Sequence, residues 1–268
     1  METKPNIKNL RKNQDVKGIV NALKYSDWQV RRDAADALGK LAEKRTPATA
    51  LKEAVAPLAT SLKDANTKVR VAAANTFGTW GIYRIMDNQD ISLVEAALTE
   101  ALKDEDRNAA WVAASSLAVI PISVKLEEAE TIVRQLEKIN LEAFAPSTAL
   151  LLLTTQRLIF NAVRVAGSLA YELKLTDIIS CEVKKPFFGN KKLVVTSQKA
   201  TLKQRLQLET GIGEGARTTY RWKQVGPHTL TDPKPAVFTG IKQTETIQTE
   251  IKAQIEHARA KNSSGLPK

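Results

Sequence analysis

Two lysine pairs enclose a pair of phenylalanines at a turn in the second half of the chain. The six residues are Lys184, Lys185, Phe187, Phe188, Lys191 and Lys192, with a proline and a Gly-Asn pair between them. Near an anionic membrane each lysine contributes about 1 kcal/mol of attraction, and aromatic side chains favour the interfacial zone. The turn is therefore a candidate for docking on acidic lipid or for binding an anionic headgroup. The alternative is that the phenylalanines pack beneath the turn and the lysines are only solvated.

Residue types that support catalysis or metal binding are sparse. Cys181 is the single cysteine, and the two histidines, His228 and His257, lie far apart in the sequence. The glycine-rich segment 211–215 lacks the Lys-Ser/Thr ending of a phosphate-binding loop, so it is predicted to be a flexible turn. The carboxylates form no recognisable acid–base motif. We therefore expect no catalytic residues, no metal site and no cofactor, and a protein that is not an enzyme.

Positive charge is concentrated in the second half of the chain. The formal net charge is +11. Residues 1–140 carry 21 Lys and Arg against 19 Asp and Glu, whereas residues 141–268 carry 19 against 10. Such a bias indicates an anionic partner, and acidic phospholipid and nucleic acid are the two obvious classes. The alternative is a basic surface that serves only solubility.

No stretch of the sequence predicts a transmembrane helix. The longest charge-free run near the middle, residues 143–156, has 14 residues and contains Pro146, whereas a span needs about 20. The first residues lack the apolar core of a signal peptide, and a single cysteine excludes an intrachain disulfide. We therefore expect a cytoplasmic location, or peripheral attachment at the inner face of a membrane.

The first half contains three similar segments, spaced 39 and then 40 residues apart. They align on Leu23, Leu62 and Leu102. In each segment a polar turn follows, then a second apolar stretch that contains a double alanine. The turn residues that could cap this stretch are Asp27, Asn66 and Asp106. Because apolar residues recur at i, i+4, i+7 and i+8, each segment predicts two helices that bury one face.

These residues resemble the HEAT repeat family over roughly residues 14–120. The first two copies have its Val-Arg pair, double alanine and closing glycine, and in the third Ala109-Ala110 replaces Val-Arg. Such a departure is typical of a terminal repeat. A further amphipathic pattern at 124–139 predicts a capping helix. The expected helical domain is therefore 14–140, preceded by a tail at 1–13.

The resemblance implies a stacked α-solenoid that serves as an interaction surface for protein partners. Trp28, Arg31 and Arg70 are the candidate protein-binding residues. The alternative for both arginines is a role in a polar ladder between repeats. Trp80 and Trp111 are expected to pack between repeats.

From residue 149 the pattern changes to that of strands. Two apolar runs, Leu150–Leu153 and Leu158–Phe160, are separated by Thr-Thr-Gln-Arg and predict a hairpin. About seven short strands are followed by a helix with isoleucines at helical spacing, from Ile241 to Ala258. This order suits a small β-barrel or sandwich closed by a helix. The predicted fold class is α+β multidomain, with an N-terminal α-solenoid.

The leucine-rich strand, the Thr-x-x-Arg-Leu-Ile-Phe sequence and a following Leu-x-Asp-Ile resemble the GRAM and bacterial pleckstrin-homology-like family. The likeness covers residues 145–260, after which 261–268 are expected to form a tail. It implies binding to acidic lipid headgroups or to protein. Arg157 lies in the motif and is expected to hold the first hairpin.

Together these features predict a non-enzymatic scaffold or adaptor. The solenoid would bind protein, and the pleckstrin-homology-like domain would bind acidic lipid, a second protein or the solenoid itself. One alternative is a nucleic-acid-associated protein that uses the basic second half. Another is a chromophore lyase or chaperone, because some HEAT-like proteins act as such lyases.

Overall fold

The structure, a computed structural model, describes most of the chain and contains two units. The described residues are 3–44, 46–83, 85–137, 139–142, 148–163, 167–187, 189–212 and 218–263. The first unit comprises Met1–Ser123 together with Leu206–Lys223, and the second comprises Val124–Arg205 together with Gln224–Lys268. The first is mainly helical, and the second is built from antiparallel strands and one long helix.

The helices of the first unit confirm the three predicted helix pairs. They are α1 (Ile7–Lys12), α2 (Val16–Ala22), α3 (Trp28–Glu43), α4 (Ala48–Leu51), α5 (Val55–Ser61), α6 (Thr67–Tyr83), α7 (Asn88–Ala101) and α8 (Arg107–Val119), with a 3₁₀ turn at Lys52–Ala54. The second helices α3, α6 and α8 each begin just after a predicted capping residue. The side chains of Asp27, Asn66 and Asp106 accept backbone N–H groups there, which satisfies donors that a helix start leaves unpaired.

Small residues allow the second helices to approach one another closely. A Cβ at Gly39 would lie 3.1 Å from Thr76 Oγ1, and one at Gly78 would lie 2.9 Å from Ser116 Oγ. Between these helices Trp80 is fully buried, and its indole N–H donates to the Leu38 carbonyl at 3.3 Å. The prediction that Trp80 packs between repeats is therefore confirmed.

Two predicted boundaries of the helical region are wrong. Residues 1–13 are not simply a tail, because α1 begins after Asn6 and its Ile7 packs against the helical core. The capping helix at 124–139 does not form: Ala129 has φ +57°, and residues 132–137 form a strand. The pattern was compatible with a helix, but pairing with a leucine-rich strand distant in sequence decides the conformation.

All strands in the described residues follow α8 in the sequence. They are β1 (Ile132–Glu137), β2 (Asn140–Leu141), β3 (Thr148–Thr154), β4 (Arg157–Val163), β5 (Leu169–Lys174), β6 (Ile178–Lys184), β7 (Lys192–Ser197), β8 (Lys199–Gln204), β9 (Leu206–Ile212), β10 (Thr218–Gln224), β11 (His228–Thr231) and β12 (Ala236–Thr239). A 3₁₀ turn, Leu175–Asp177, links β5 to β6, and α9 (Thr244–Ser263) follows the last strand. The helix predicted at the end of the chain is confirmed, and it continues into the expected tail at 261–268, of which 264–268 lie outside the described residues.

The second unit contains two antiparallel sheets, ordered β1-β3-β4-β5-β8-β11 and β2-β12-β7-β6. One buried cluster combines residues of both sheets with Ile247, Ile251 and Ile255 of α9. Among the described strands the sheets do not close into a barrel. The prediction of a strand-rich half that ends in a helix is thus confirmed, whereas the finer prediction of a barrel or sandwich is not confirmed.

The β3–β4 hairpin has the predicted turn, and Arg157 holds it. Thr154 Oγ1 accepts the Arg157 backbone N–H at 2.7 Å, while the Arg157 guanidinium contacts Glu130 at 2.6 Å and Glu172 at 2.9 Å. The Glu130 side chain is fully buried. Burial alone would raise the pKa of Glu130, but the hydrogen bonds from Arg157 and Thr154 hold this pKa below its usual value.

The hairpin β9–β10 belongs to the helical unit, although it lies in the second half of the sequence. Leu206 is buried in the helical core, and Trp222 packs against it. A contiguous domain at 145–260 was predicted, and this assignment is wrong for residues 206–223. The helical domain likewise ends at Ser123 rather than at 140.

Candidate functional site

A groove of about 440 Å³ runs along the second helices of the three repeats. It is lined by Arg32, Asp36, Thr67, Lys68, Val71, Ala72, Asn75, Asp106 and Asn108. The spacing of 39 and 40 residues places equivalent residues of successive repeats in two rows. We call Arg32, Val71 and Trp111 the first row, and Asp36, Asn75 and Ser115 the second row.

Trp28, predicted as a protein-binding residue, lies beside this groove. Its ring is half-buried and has the Arg32 guanidinium carbon 5.5 Å and the Lys68 Nζ 5.0 Å from its centroid. A cation within about 6 Å of a tryptophan ring is attracted by the negative charge of its face. Trp28 therefore helps to position two cations that line the groove.

Arg31 and Arg70, the other two predicted protein-binding residues, bridge successive repeats. The Arg31 guanidinium contacts both carboxylate oxygens of Asp64, at 2.7 and 2.9 Å, and Arg70 makes the same contacts to Asp104, at 2.7 and 2.8 Å. Each arginine also donates to two backbone carbonyls of its own turn. With 18% and 12% of their side chains exposed, both form the polar ladder that was the alternative interpretation.

The ladder predicts a dependence of stability on pH. The hydrogen bond from Arg70 holds the pKa of Asp104 below its ordinary value of 3.8. A depressed folded-state pKa adds stability that is present above the ordinary value and is lost as the pH falls through the depressed one. We expect Asp104→Asn to lower the Tm of the helical unit at pH 7, and we expect this difference to shrink below about pH 4.

Tryptophan fluorescence during thermal unfolding would measure that difference, because all four tryptophans lie in the helical unit. Glu105→Gln is a matched control, since Glu105 is an exposed carboxylate in the same turn. A difference between wild type and Asp104→Asn that stays constant from neutral to strongly acidic pH would contradict the prediction.

Asp36 is the most unusual carboxylate of the groove. Its side chain is half-buried, and burial raises its pKa, although Lys40 and Arg32 oppose the shift. Within the described residues no donor forms a hydrogen bond with this carboxylate. The repeat alignment could have identified it, because Asp36 is equivalent to Asn75 and to Ser115.

Trp111 does not pack between repeats as predicted, because 41% of its surface is exposed. Its ring lies against Trp222 of the β9–β10 hairpin, with 6.1 Å between centroids. The Trp222 indole N–H donates to Ser115 Oγ at 3.2 Å. Trp222 therefore contacts one residue of the first row and one of the second row.

The six predicted lipid- or anion-binding residues lie in the segment that runs from the end of β6 to the start of β7. Phe187 is 95% exposed, and Lys184 and Lys185 are also exposed. Lys191 forms an ion pair with Glu245, and Lys192 contacts Glu142 at 2.7 Å. Phe188 lies outside the described residues. The alternative that the phenylalanines pack beneath the turn thus does not apply to Phe187.

The part of the chain that the structure describes contains no group of three or more His, Cys, Asp or Glu residues arranged to hold a metal ion. Within the same residues no helix is both long enough and apolar enough to cross a membrane. The buried Cys181 thiol has its pKa raised to about 12 by burial, so it is a poor nucleophile.

Residues 16–118 match the family described as HEAT repeats. The predicted repeat region is therefore confirmed. No curated protein matches the chain. The crystal structure of an engineered protein is 25% identical, covering 42% of this chain and 48% of that one with a TM-score of 0.34. The chain thus spans about half the length of that protein. The pleckstrin-homology-like resemblance of residues 145–260 stays a prediction.

Proposed function

We propose that the protein is a non-enzymatic scaffold that binds a protein partner in the groove of its helical unit. HEAT repeats are generally protein-interaction scaffolds. The observation that carries the proposal is the groove itself, which is open along the equivalent faces of successive second helices. Its volume of about 440 Å³ is within the usual range of binding sites, about 300–1,000 Å³.

The lining of the groove suits a polypeptide. Val71 and Ala72 provide an apolar floor, while Asn75 and Asn108 offer both hydrogen-bond donors and acceptors. Beside it, Trp28 presents a large aromatic surface whose orientation is stabilised by neighbouring cations. Tryptophan is enriched among the few residues that dominate interface energies. Trp28 is therefore the residue whose loss should weaken partner binding most.

Site-specific photo-cross-linking in native lysate tests this proposal. In one variant a benzophenone amino acid replaces Asn75, which is exposed in the groove. In the matched control it replaces Leu93, which is 43% exposed on α7, the first helix of the third repeat. We expect a discrete protein adduct at position 75 that is absent at position 93. Trp28→Ala should reduce its yield about tenfold or more. Equal adducts at both positions, or none at position 75, would argue against the groove as the binding site of a protein partner.

We further infer that the β6–β7 turn docks on acidic membrane lipid. Phe187, at 95% exposure, is the most exposed large apolar side chain among the described residues. Next to it in sequence, Lys184 and Lys185 are exposed cations, whereas Lys191 and Lys192 are paired with carboxylates. The proposal therefore rests on Lys184, Lys185 and Phe187 as the lipid contacts.

Binding to vesicles with and without phosphatidylserine measures this contact. Each lysine contributes about 1 kcal/mol near an anionic surface, so Lys184→Ala with Lys185→Ala should weaken binding about 30-fold. Lys199 and Lys234 are exposed lysines near the opposite end of β7, and their double alanine variant should bind almost as wild type. Equal losses in both variants would indicate a general effect of charge and would exclude docking by the turn.

A further inference from the structure

The helical unit already has an aromatic side chain bound on its third repeat. Trp222 of the hairpin lies with its ring against Trp111 and donates its indole N–H to Ser115 Oγ. Trp111 belongs to the first row and Ser115 to the second row. On the third repeat, Trp222 thus contacts one residue of each row.

The equivalent residues of the first and second repeats line the groove. The ring of Trp28, in the same helix as Arg32, lies 5.5 Å from the Arg32 guanidinium carbon, so the indole of a partner would use the remaining surface of Arg32 together with Val71. In the first row, Arg32 and Val71 replace Trp111, and in the second row, Asp36 and Asn75 replace Ser115. A guanidinium or a valine can contact the face of an indole ring, and a carboxylate or an amide oxygen can accept its N–H. The groove therefore presents groups of the kind that hold Trp222 on the third repeat.

Asp36 gives this pattern a preferred position. Its carboxylate accepts only, is half-buried, and has no hydrogen-bonded donor within the described residues. A partly buried acceptor gains more from a donor than an exposed one, because water no longer solvates it fully. A ligand with an N–H directed at Asp36 would form a hydrogen bond equivalent to the one that Trp222 donates to Ser115.

The geometry points to a partner of defined chemistry: a polypeptide segment whose tryptophan ring lies on Arg32 and Val71 and whose indole N–H is donated to Asp36 or Asn75. This inference rests on the proposed function, since it names the partner of the same groove. A polypeptide is the occupant because the tryptophan already bound in this way is carried by a strand, β10.

The test uses the full chain and a peptide that copies the chain's own segment around Trp222. The probe is the acetylated, amidated peptide of residues 218–224, Thr-Thr-Tyr-Arg-Trp-Lys-Gln, added to ¹⁵N-labelled protein. We expect saturable amide shifts in α3 and α6 around Arg32, Asp36 and Asn75. The Trp222→Phe form of the peptide keeps an aromatic ring but lacks the N–H, so it should bind about tenfold more weakly.

Protein variants separate the role of Asp36 from a general loss of charge. Asp36→Ala should weaken binding of the tryptophan peptide about tenfold and leave binding of the phenylalanine peptide unchanged. Glu43→Ala removes an exposed carboxylate from the same helix and should leave both unchanged. Circular dichroism of each variant verifies that the helices remain folded.

Three results would overturn the inference. One is equal binding of the two peptides, and another is a set of shifts confined to α8 around Ser115. The third is concentration-dependent dimerisation that Trp222→Ala abolishes, which would assign the groove to the hairpin of a second copy. A partner cross-linked at position 75 through a segment without tryptophan would keep the scaffold function and reject only this inference.

Discussion

Replacement of Arg157 by alanine is expected to destabilise the second unit by about 3–5 kcal/mol. The guanidinium contacts Glu130 at 2.6 Å and Glu172 at 2.9 Å, and it donates to the Lys125 carbonyl at 2.8 Å. The Glu130 side chain is fully buried, so its charge would be left without a cation and without water. Lys203, at 2.7 Å from Glu172, would still compensate that second carboxylate.

Hydrogen exchange of the β3 and β4 amides, together with calorimetry, would measure this loss. Tryptophan fluorescence is unsuitable, because every tryptophan of the chain lies in the helical unit. Arg134→Ala is the matched control, since it removes an arginine–glutamate pair in which Arg134 is 46% and Glu250 is 25% exposed. We expect a far smaller effect there. Similar losses in both variants would show that burial of the Arg157 cluster is not the cause.

Replacement of Trp80 by alanine is expected to destabilise the helical unit by about 3–5 kcal/mol. The side chain is fully buried and contacts Phe77 edge to face, with centroids 5.8 Å apart. Its removal would leave a cavity between the second helices, and the Leu38 carbonyl would lose the indole N–H. Both effects act within the layer that forms the groove.

Urea unfolding followed by helical circular dichroism and by the fluorescence of the remaining tryptophans would measure this change. Trp28→Ala is the matched control, because Trp28 is only half-buried beside the groove. It should cost much less stability while weakening partner binding. If the helical unit loses as much stability in Trp28→Ala as in Trp80→Ala, the prediction is contradicted, because burial would then not explain how much each tryptophan contributes to stability.

The candidate site could be predicted only in part, for a physical reason. Trp28 was identified by its place at a helix start, and it does lie beside the groove. For Arg31 and Arg70 the sequence offered both protein binding and a polar ladder between repeats. Their contacts with Asp64 and Asp104, 33 and 34 residues away, place both arginines in the ladder. Asp36 belongs to no recognisable sequence motif, since its raised pKa comes from burial in the folded helical unit.

Features that depend on near neighbours in the chain could be predicted from the sequence. Capping residues and apolar spacing are encoded within a few residues, so the helix pairs of the repeats, the turn before Arg157 and the final helix were predictable. The exposed Lys184 and Lys185 at a proline- and glycine-containing turn were predictable for the same reason.

Features that depend on distant partners became apparent only in the folded structure. Residues 132–137 became a strand because β1 pairs with β3, where Leu136 lies opposite Leu151. Trp222 joined the helical unit through Ser115, 107 residues away in the sequence. Local patterns constrain a segment to helix or strand only weakly when long-range packing favours the other, and they do not reveal which surface a hairpin will cover.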